Sequence, residues 1–264
     1  MLQALPFEQQ GLVFSVVGGI GAGKSTLLNN FANTQTGRIS SFYPIPEPVS
    51  QWRPFLKLFY SDPEKFALLM QWCVLSTLAT AITWFSSLGI DQLRERCRTC
   101  IAVFSIIHGQ SGNIPPDQLR HILDSLTYGG FKKSDVIFLL DVPGKIAFKR
   151  AHGRGREEER SGLVLDYCIT LRETYIHVLK NLDTVVILLD ASQSQDDLLA
   201  DFVNAFNCAS AAFGRPHMPF DSSKVHYLTP ARLPCAPQDS HSLSTPLVTP
   251  SLSTLELSNF GTVL

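Results

Sequence analysis

Gly18-Gly19-Ile20-Gly21-Ala22-Gly23-Lys24-Ser25, followed by Thr26, is the stretch that decides the fold of this 264-residue chain. It satisfies the pattern G-x-x-x-x-G-K-[ST] at every fixed position. Before it stands Leu12-Val13-Phe14-Ser15-Val16-Val17, a β-branched run of strand character; after it a helix is predicted over Lys24 to Asn33. A chance lysine after a glycine turn would not bring strand and helix into that register. The glycines let backbone N–H groups turn inward around phosphate oxygens. The amino end of the helix adds partial positive charge. Lys24 is placed to reach a transferring phosphate, and the Ser25 hydroxyl to ligate magnesium. Gly18, Gly19, Ile20, Gly21, Ala22, Gly23, Lys24, Ser25 and Thr26 are therefore expected to hold ATP with Mg2+.

Working outward, strands are predicted at Arg38–Tyr43, Gly89–Leu93, Val136–Leu140 and Val185–Leu189. Helices are predicted at Pro63–Ser86, Gln118–Leu126, Ile146–Ala151, Leu165–Leu182 and Leu198–Phe206. Alternation of the two predicts an α/β fold: a parallel sheet with helices on both faces, binding its ligand beyond the carboxyl ends of the strands. One such domain is expected over residues 12–213, after an extension of residues 1–11. From residue 214 to 264 Pro, Ser and Thr dominate without apolar periodicity, and a disordered tail is expected.

Hydrophobic residues make up 45% of the chain and charged residues 17%, with a formal net charge of −1. That balance excludes the basic field of a nucleic acid polymer binder. The apolar run Phe66–Leu88 carries Gln71 and several hydroxyl residues, so it reads as a core helix and no membrane partner is expected. Neither a secretory signal nor a transit peptide is legible at the start, so the protein is expected to be intracellular, in the cytoplasm. Of six cysteines, Cys97-x-x-Cys100 alone has metal or redox spacing, and a zinc site would need a second pair of ligands that the sequence lacks. Asp141 and Asp190, each ending a predicted strand, are candidates for the acidic residue of an ordinary NTPase or for simple strand-end caps.

The phosphate loop alone does not name a reaction. Beyond the second strand come Glu47-Pro48-Val49-Ser50-Gln51-Trp52, then Tyr60-Ser61-Asp62-Pro63, then Phe66 to Gln71. Their order and spacing from the loop resemble the deoxynucleoside kinase family, which includes thymidine kinase of the mitochondrial type and deoxycytidine kinase. The likeness resumes at Val136 and continues to about Asp190. It implies that Glu47 is the general base for the sugar 5′-hydroxyl, that Trp52 lies against base and sugar, that Tyr60 binds the 3′-hydroxyl, and that Gln71 reads the base edge. Phe104 is a candidate to stack on the base. Glu95-Arg96-Cys97 falls where the family has Glu-Arg-Ser, which implies Glu95 as a magnesium ligand and Arg96 as the group positioning base and phosphate; the alternative is a solvated cluster Arg94-Glu95-Arg96. Arg150, Arg154 and Arg156, followed by Glu157-Glu158-Glu159, resemble the family's lid. The resemblance makes Arg154 and Arg156 the phosphate clamps and Glu159 (or Glu158) a second ligand of the 3′-hydroxyl. It also implies a homodimer.

Members that accept deoxycytidine and purines carry an Arg–Asp pair on the base-facing wall. Here the matching positions are Leu78 and Ile101, with Val74 nearby, an apolar set that implies thymidine and leaves deoxycytidine open. Two other readings stand beside this one. A nucleoside monophosphate kinase would need cations for the acceptor phosphate, and the Glu47–Trp52 region offers only Arg53. A degenerate nucleotide-binding protein would explain the polar third strand and Cys97.

Overall fold

The computed structural model describes residues 11–129, 131–159 and 162–233. β1 (Val13–Val17) is buried along its whole length and lies at the centre of a six-stranded sheet. The order is β2 (Tyr43–Ile45), β3 (Gln92–Glu95), β1, β4 (Val136–Asp141), β5 (Val185–Asp190) and β6 (His226–Tyr227). All neighbours are parallel except β6, which runs antiparallel to β5. Chain order reverses at β1, with β2 and β3 on one side and β4 and β5 on the other. The loop leaving β1 therefore opens into the crevice such a reversal creates.

Side chains alternate across the sheet and build two cores. Phe14, Val16, Val136, Phe138 and Leu140 face α1 (Lys24–Ala32) and α9 (Gln195–Ala212). Val17, Ile137 and Leu139 face the other layer, made by α3 (Val49–Ser61), α4 (Pro63–Ser87), α5 (Arg98–Gln110), α6 (Pro116–Tyr128) and α8 (Leu165–Lys180). The first core is rich in rings: Phe14 stacks on Phe42 at 4.2 Å, and Phe31 meets Phe206 at 4.7 Å between centroids.

The sequence expectations hold for β1, β4, β5 and most helices; the third strand needs a correction. Pairing of Val13 with Gln92 fixes β3 as Gln92–Glu95, not Gly89–Leu93. This strand is polar yet fully buried, because its side chains satisfy one another in part: Gln92 Nε2 donates to Ser86 Oγ at 3.0 Å and Arg94 Nη1 to Gln92 Oε1 at 2.9 Å. Arg38 lies in a short helix, α2 (Gln35–Ile39), started by Thr34 Oγ1, which accepts from the Gly37 N–H. The second strand begins only at Tyr43 and tolerates Pro44 because it is an edge. Neither α3 nor α5 was expected.

The expected start of the tail at 214 is also corrected. Residues 215–233 belong to the fold: Arg215 forks onto Asp91 at 2.5 and 3.1 Å, and β6 extends the sheet. The rest of the expected tail, 234–264, and the first ten residues of the expected amino-terminal extension lie outside the described residues. Arg150 and Arg154 lie in α7 (Gly144–Arg154), and the connection from it to α8 carries Arg156 and a 3-10 turn, Glu157–Glu159.

Candidate active site

Gly18, Gly21 and Gly23 adopt φ of 146°, 78° and 94°, backbone that side chains resist. At Gly21 the approach is closer still, since a Cβ there would meet the Ala147 carbonyl oxygen at 2.2 Å. The loop thus packs tightly on α7. Lys24 is buried, and its Nζ donates to the carbonyls of Gly18 (3.1 Å) and Gly19 (2.9 Å). Burial and then Arg96 lower its pKa.

Ser25 Oγ donates to both carboxylate oxygens of Glu95, at 3.0 and 2.9 Å, with Glu95 only 3% exposed. Arg94 is likewise buried, so the solvated-cluster alternative for residues 94–96 is excluded. A serine hydroxyl and a carboxylate beside Lys24 form an oxygen donor set of the kind magnesium takes. Among the described residues no group of three or more His, Cys, Asp or Glu is placed to hold a metal, so the remaining ligands would come from phosphate and water.

Arg96 is the only non-glycine among the described residues with positive φ, 76°. From there its Nε donates to Glu47 Oε1 at 2.5 Å, and its guanidinium lies 4.9 Å from the Phe104 ring and 5.9 Å from Trp52. Burial raises the Glu47 carboxyl, but Arg96 and Lys24 overcome it and hold Glu47 below the ordinary carboxylate range. Burial likewise opposes the charge on Arg96, and Glu47 restores it, so the Arg96 pKa ends above its ordinary value.

Glu47, Trp52, Tyr60, Gln71, Glu95, Arg96, Phe104, Arg154, Arg156 and Glu159 all line one cleft, together with the phosphate loop. Val74 and Ile101 line it too, whereas Leu78 is core. Trp52 is fixed by its indole N–H to Thr77 Oγ1 at 2.9 Å. The Gln71 amide is buried and has no hydrogen-bond partner within the described chain, although its neighbours leave it facing the cleft. Burial pushes the Tyr60 hydroxyl pKa well up, and the nearby Glu159 adds to the rise. Arg154 Nη2 donates to Glu159 at 2.8 and 2.6 Å and Arg156 Nη1 at 3.2 Å, so both lid arginines close on one carboxylate. Arg150 anchors the lid's base through the Ala191 carbonyl.

Asp141 and Asp190 behave as strand-end groups. Asp141 holds Arg172 at 2.6 and 2.8 Å, and Asp190 accepts from the Ser192 amide and hydroxyl. Reading the sequence missed His108, Phe59 and Met70 in the cleft wall. His108 meets Phe59 edge-on at 5.0 Å and approaches the Tyr167 hydroxyl at 3.3 Å, and burial lowers its pKa to about 4. No motif marks it; only the helical period of α5, once that helix is known, places it one face-turn beyond Ile101 and Phe104.

The chain is 29% identical over 201 residues to a thymidine kinase of Ictalurid herpesvirus 1 (strain Auburn), covering 73% of this chain and 85% of that protein. It is 30% identical over 179 residues to a deoxyguanosine kinase of Lactobacillus johnsonii, covering 64% of this chain and 73% of that one. Its fold is that of a deoxyadenosine kinase from M. mycoides, at TM-score 0.65 and 21% identity, covering 74% of this chain and 98% of that structure. The family model "Deoxynucleoside kinase" matches residues 14–207, and the chain belongs to that family.

Proposed function

We propose that this protein transfers the terminal phosphate of ATP to the 5′-hydroxyl of thymidine. One observation carries the reading: the partnerless, buried Gln71 amide shares its cleft with the Glu47–Arg96 pair and the phosphate loop. Gln71 offers one donor and one acceptor to a base edge. A base bound there would complete hydrogen bonds that the chain leaves unmade.

Glu47, held ionised by Arg96, takes the 5′-hydroxyl proton as the oxygen attacks phosphorus. Lys24 turns from the loop carbonyls to the transferring phosphate, and Arg154 and Arg156 meet the charge that spreads over it. Ser25 and Glu95 would hold magnesium, whose charge offsets that of the donor phosphates. Tyr60 and Glu159 bind the 3′-hydroxyl, and Trp52 and Phe104 cover sugar and base. Val74 and Ile101 present an apolar wall without a charged pair, which supports thymidine over a purine. The herpesvirus relative, named a thymidine kinase, agrees with this choice; the deoxyguanosine kinase relative names the alternative. Arg53 is exposed and turned to Glu158 at 3.7 Å, so it does not supply the cation that a monophosphate acceptor would need.

A homodimer is proposed through α4. That helix is long and apolar enough to cross a membrane, yet Met70, Gln71 and Val74 on its inner face line the cleft. Its outer face exposes Leu69, Ser76, Thr80 and Trp84, and no charge occurs between Lys65 and Asp91. An intracellular, cytoplasmic setting is proposed with it. The test is phosphate transfer from ATP and magnesium to each of the four deoxynucleosides and to thymidine monophosphate. Preference for thymidine supports the reading. Preference for deoxyguanosine overturns the apolar-wall argument, and transfer only to the monophosphate overturns the acceptor assignment.

A further inference from the structure

Two sulfurs stand at the start of α5, directly after Arg96, with no part in the phosphate transfer. Cys97 is the N-cap residue, and its N–H donates to Cys100 Sγ at 3.5 Å while the Cys100 N–H returns to the Cys97 sulfur. Cys97 is 2% exposed and Cys100 1%, yet Cys100 lines the substrate cleft. A small polar oxidant entering the cleft therefore meets Cys100 first, with Cys97, its capping partner, behind it. Arg94, wholly buried and within electrostatic reach of Cys97, has Nε and Nη2 without partners. Those N–H groups offer donors to an oxygen introduced at the pair.

We propose that Cys97 and Cys100 form a peroxide-responsive dithiol, whose closure to a disulfide switches the cleft off. The Cys100 sulfur attacks one oxygen of hydrogen peroxide and breaks the O–O bond. The other oxygen leaves as water with the thiol proton, and Cys100 becomes a sulfenic acid. The Cys97 sulfur then attacks Cys100, the S–O bond breaks, and that oxygen departs as a second water carrying the Cys97 proton. Both sulfurs are oxidised by one electron each and the peroxide is reduced to two waters. A thiol reductant reverses the bond.

The disulfide replaces the reciprocal capping contacts of the first turn of α5. It draws Cys97 inward, and Arg96, tethered to it at φ 76°, is pulled off Glu47. The switch acts by positioning: neither sulfur touches a reacting atom.

The experiment treats the full chain with hydrogen peroxide and maps its peptides by mass spectrometry, before and after dithiothreitol. The expected product is a Cys97–Cys100 link, two hydrogen masses lighter than the dithiol. Phosphate transfer should fall about 10²-fold, the scale of losing one positioned charge-stabilising donor, and return on reduction. In Cys97→Ser and Cys100→Ser the ratio of peroxide-treated to untreated activity should stay near one. A third arm uses no variant: the deoxynucleoside that the protein phosphorylates best should slow formation of the link by covering Cys100. A link to any other cysteine, a Cys97–Cys100 link with activity intact, lost activity with both thiols free, or no protection by nucleoside would each overturn the proposal. The mapping reads the bond without a transfer assay, so an error in the assigned substrate would leave that result standing.

Discussion

Arg96 Nε meets Glu47 Oε1 at 2.5 Å from a left-handed backbone, so the Glu47 carboxylate is held by a residue that is itself strained. A non-glycine residue in that region costs about 1–3 kcal/mol and persists only when its surroundings fix it. Here the Glu47 carboxylate and the Phe104 ring do so. Glu47→Gln is expected to lower kcat by about 10² to 10⁴ while the fold persists. Arg96→Gln removes the charge that depresses the Glu47 pKa. The acidic limb of the kcat/KM profile should then move to higher pH, because protonation of the base no longer has to compete with an adjacent cation. A pH series on the two variants checks both; an unmoved limb in Arg96→Gln would remove Arg96 from its assigned role.

Gln71 is the group most exposed to a direct test. Gln71→Leu keeps the volume and removes both hydrogen bonds to a base. At about 0.5–1.5 kcal/mol for each bond, kcat/KM for thymidine should fall by roughly 10- to 100-fold. The melting temperature should hold or rise, since the amide has no partner inside the protein to lose. A lower melting temperature with unchanged kcat/KM would show Gln71 to be structural.

Asp91 gathers four donors: the Leu12 N–H, the Ser41 hydroxyl and two nitrogens of Arg215. Arg215→Ala is expected to cost about 1–2 kcal/mol in urea unfolding, a figure moderated because the arginine is partly exposed. A chain shortened to end at residue 214 should lose more, because β6 goes with it and the β5 edge is laid bare. A chain ending at 233 keeps β6 and Arg215 and should be the more stable of the two. Equal stability of the two shortened chains would deny residues 215–233 their place in the core.

His108 gives the protein an acid limit of its own. Its folded pKa of about 4 lies below the ordinary histidine value, so the folded state resists the proton that the unfolded chain accepts. The sign follows from linkage: the associated stability is complete above about 6.5 and drains away as pH falls toward 4. The loss reaches at most about 3 kcal/mol over that window. His108→Phe should flatten the fall in melting temperature between pH 6.5 and 4. Identical pH dependence in the variant would assign the acid limit to other groups.

The sequence shows the parts of this molecule that local chemistry fixes. The octet Gly18–Ser25 and the apolar strands β1, β4 and β5 were legible because strand, loop and side-chain type all point one way; Glu47, Trp52, Tyr60 and Gln71 were singled out only by the resemblance of their order and spacing to the deoxynucleoside kinase family. β3 was not legible at its true position. Gln92 and Arg94 look like surface residues, and their burial depends on Ser86 from another element and on register with Val13. The same holds for residues 215–233, whose polar composition suggested a tail but whose Arg215 finds a carboxylate 124 positions earlier. Pairings over such distances leave no local periodicity to read. α5 went unseen because its amino end carries Cys97, an N-cap that the usual Ser, Thr, Asp or Asn signal does not include.

Glu159 occupies both lid arginines at once. Under the proposed assignment the same carboxylate must serve the sugar hydroxyl, while Arg154 and Arg156 must serve the phosphates. Donor binding then releases Glu159 toward the acceptor, and acceptor binding frees the arginines for the donor. The two substrates become linked in free energy, each raising the other's affinity by the same factor. That reciprocity would let the lid remain latched whenever only one substrate is at hand.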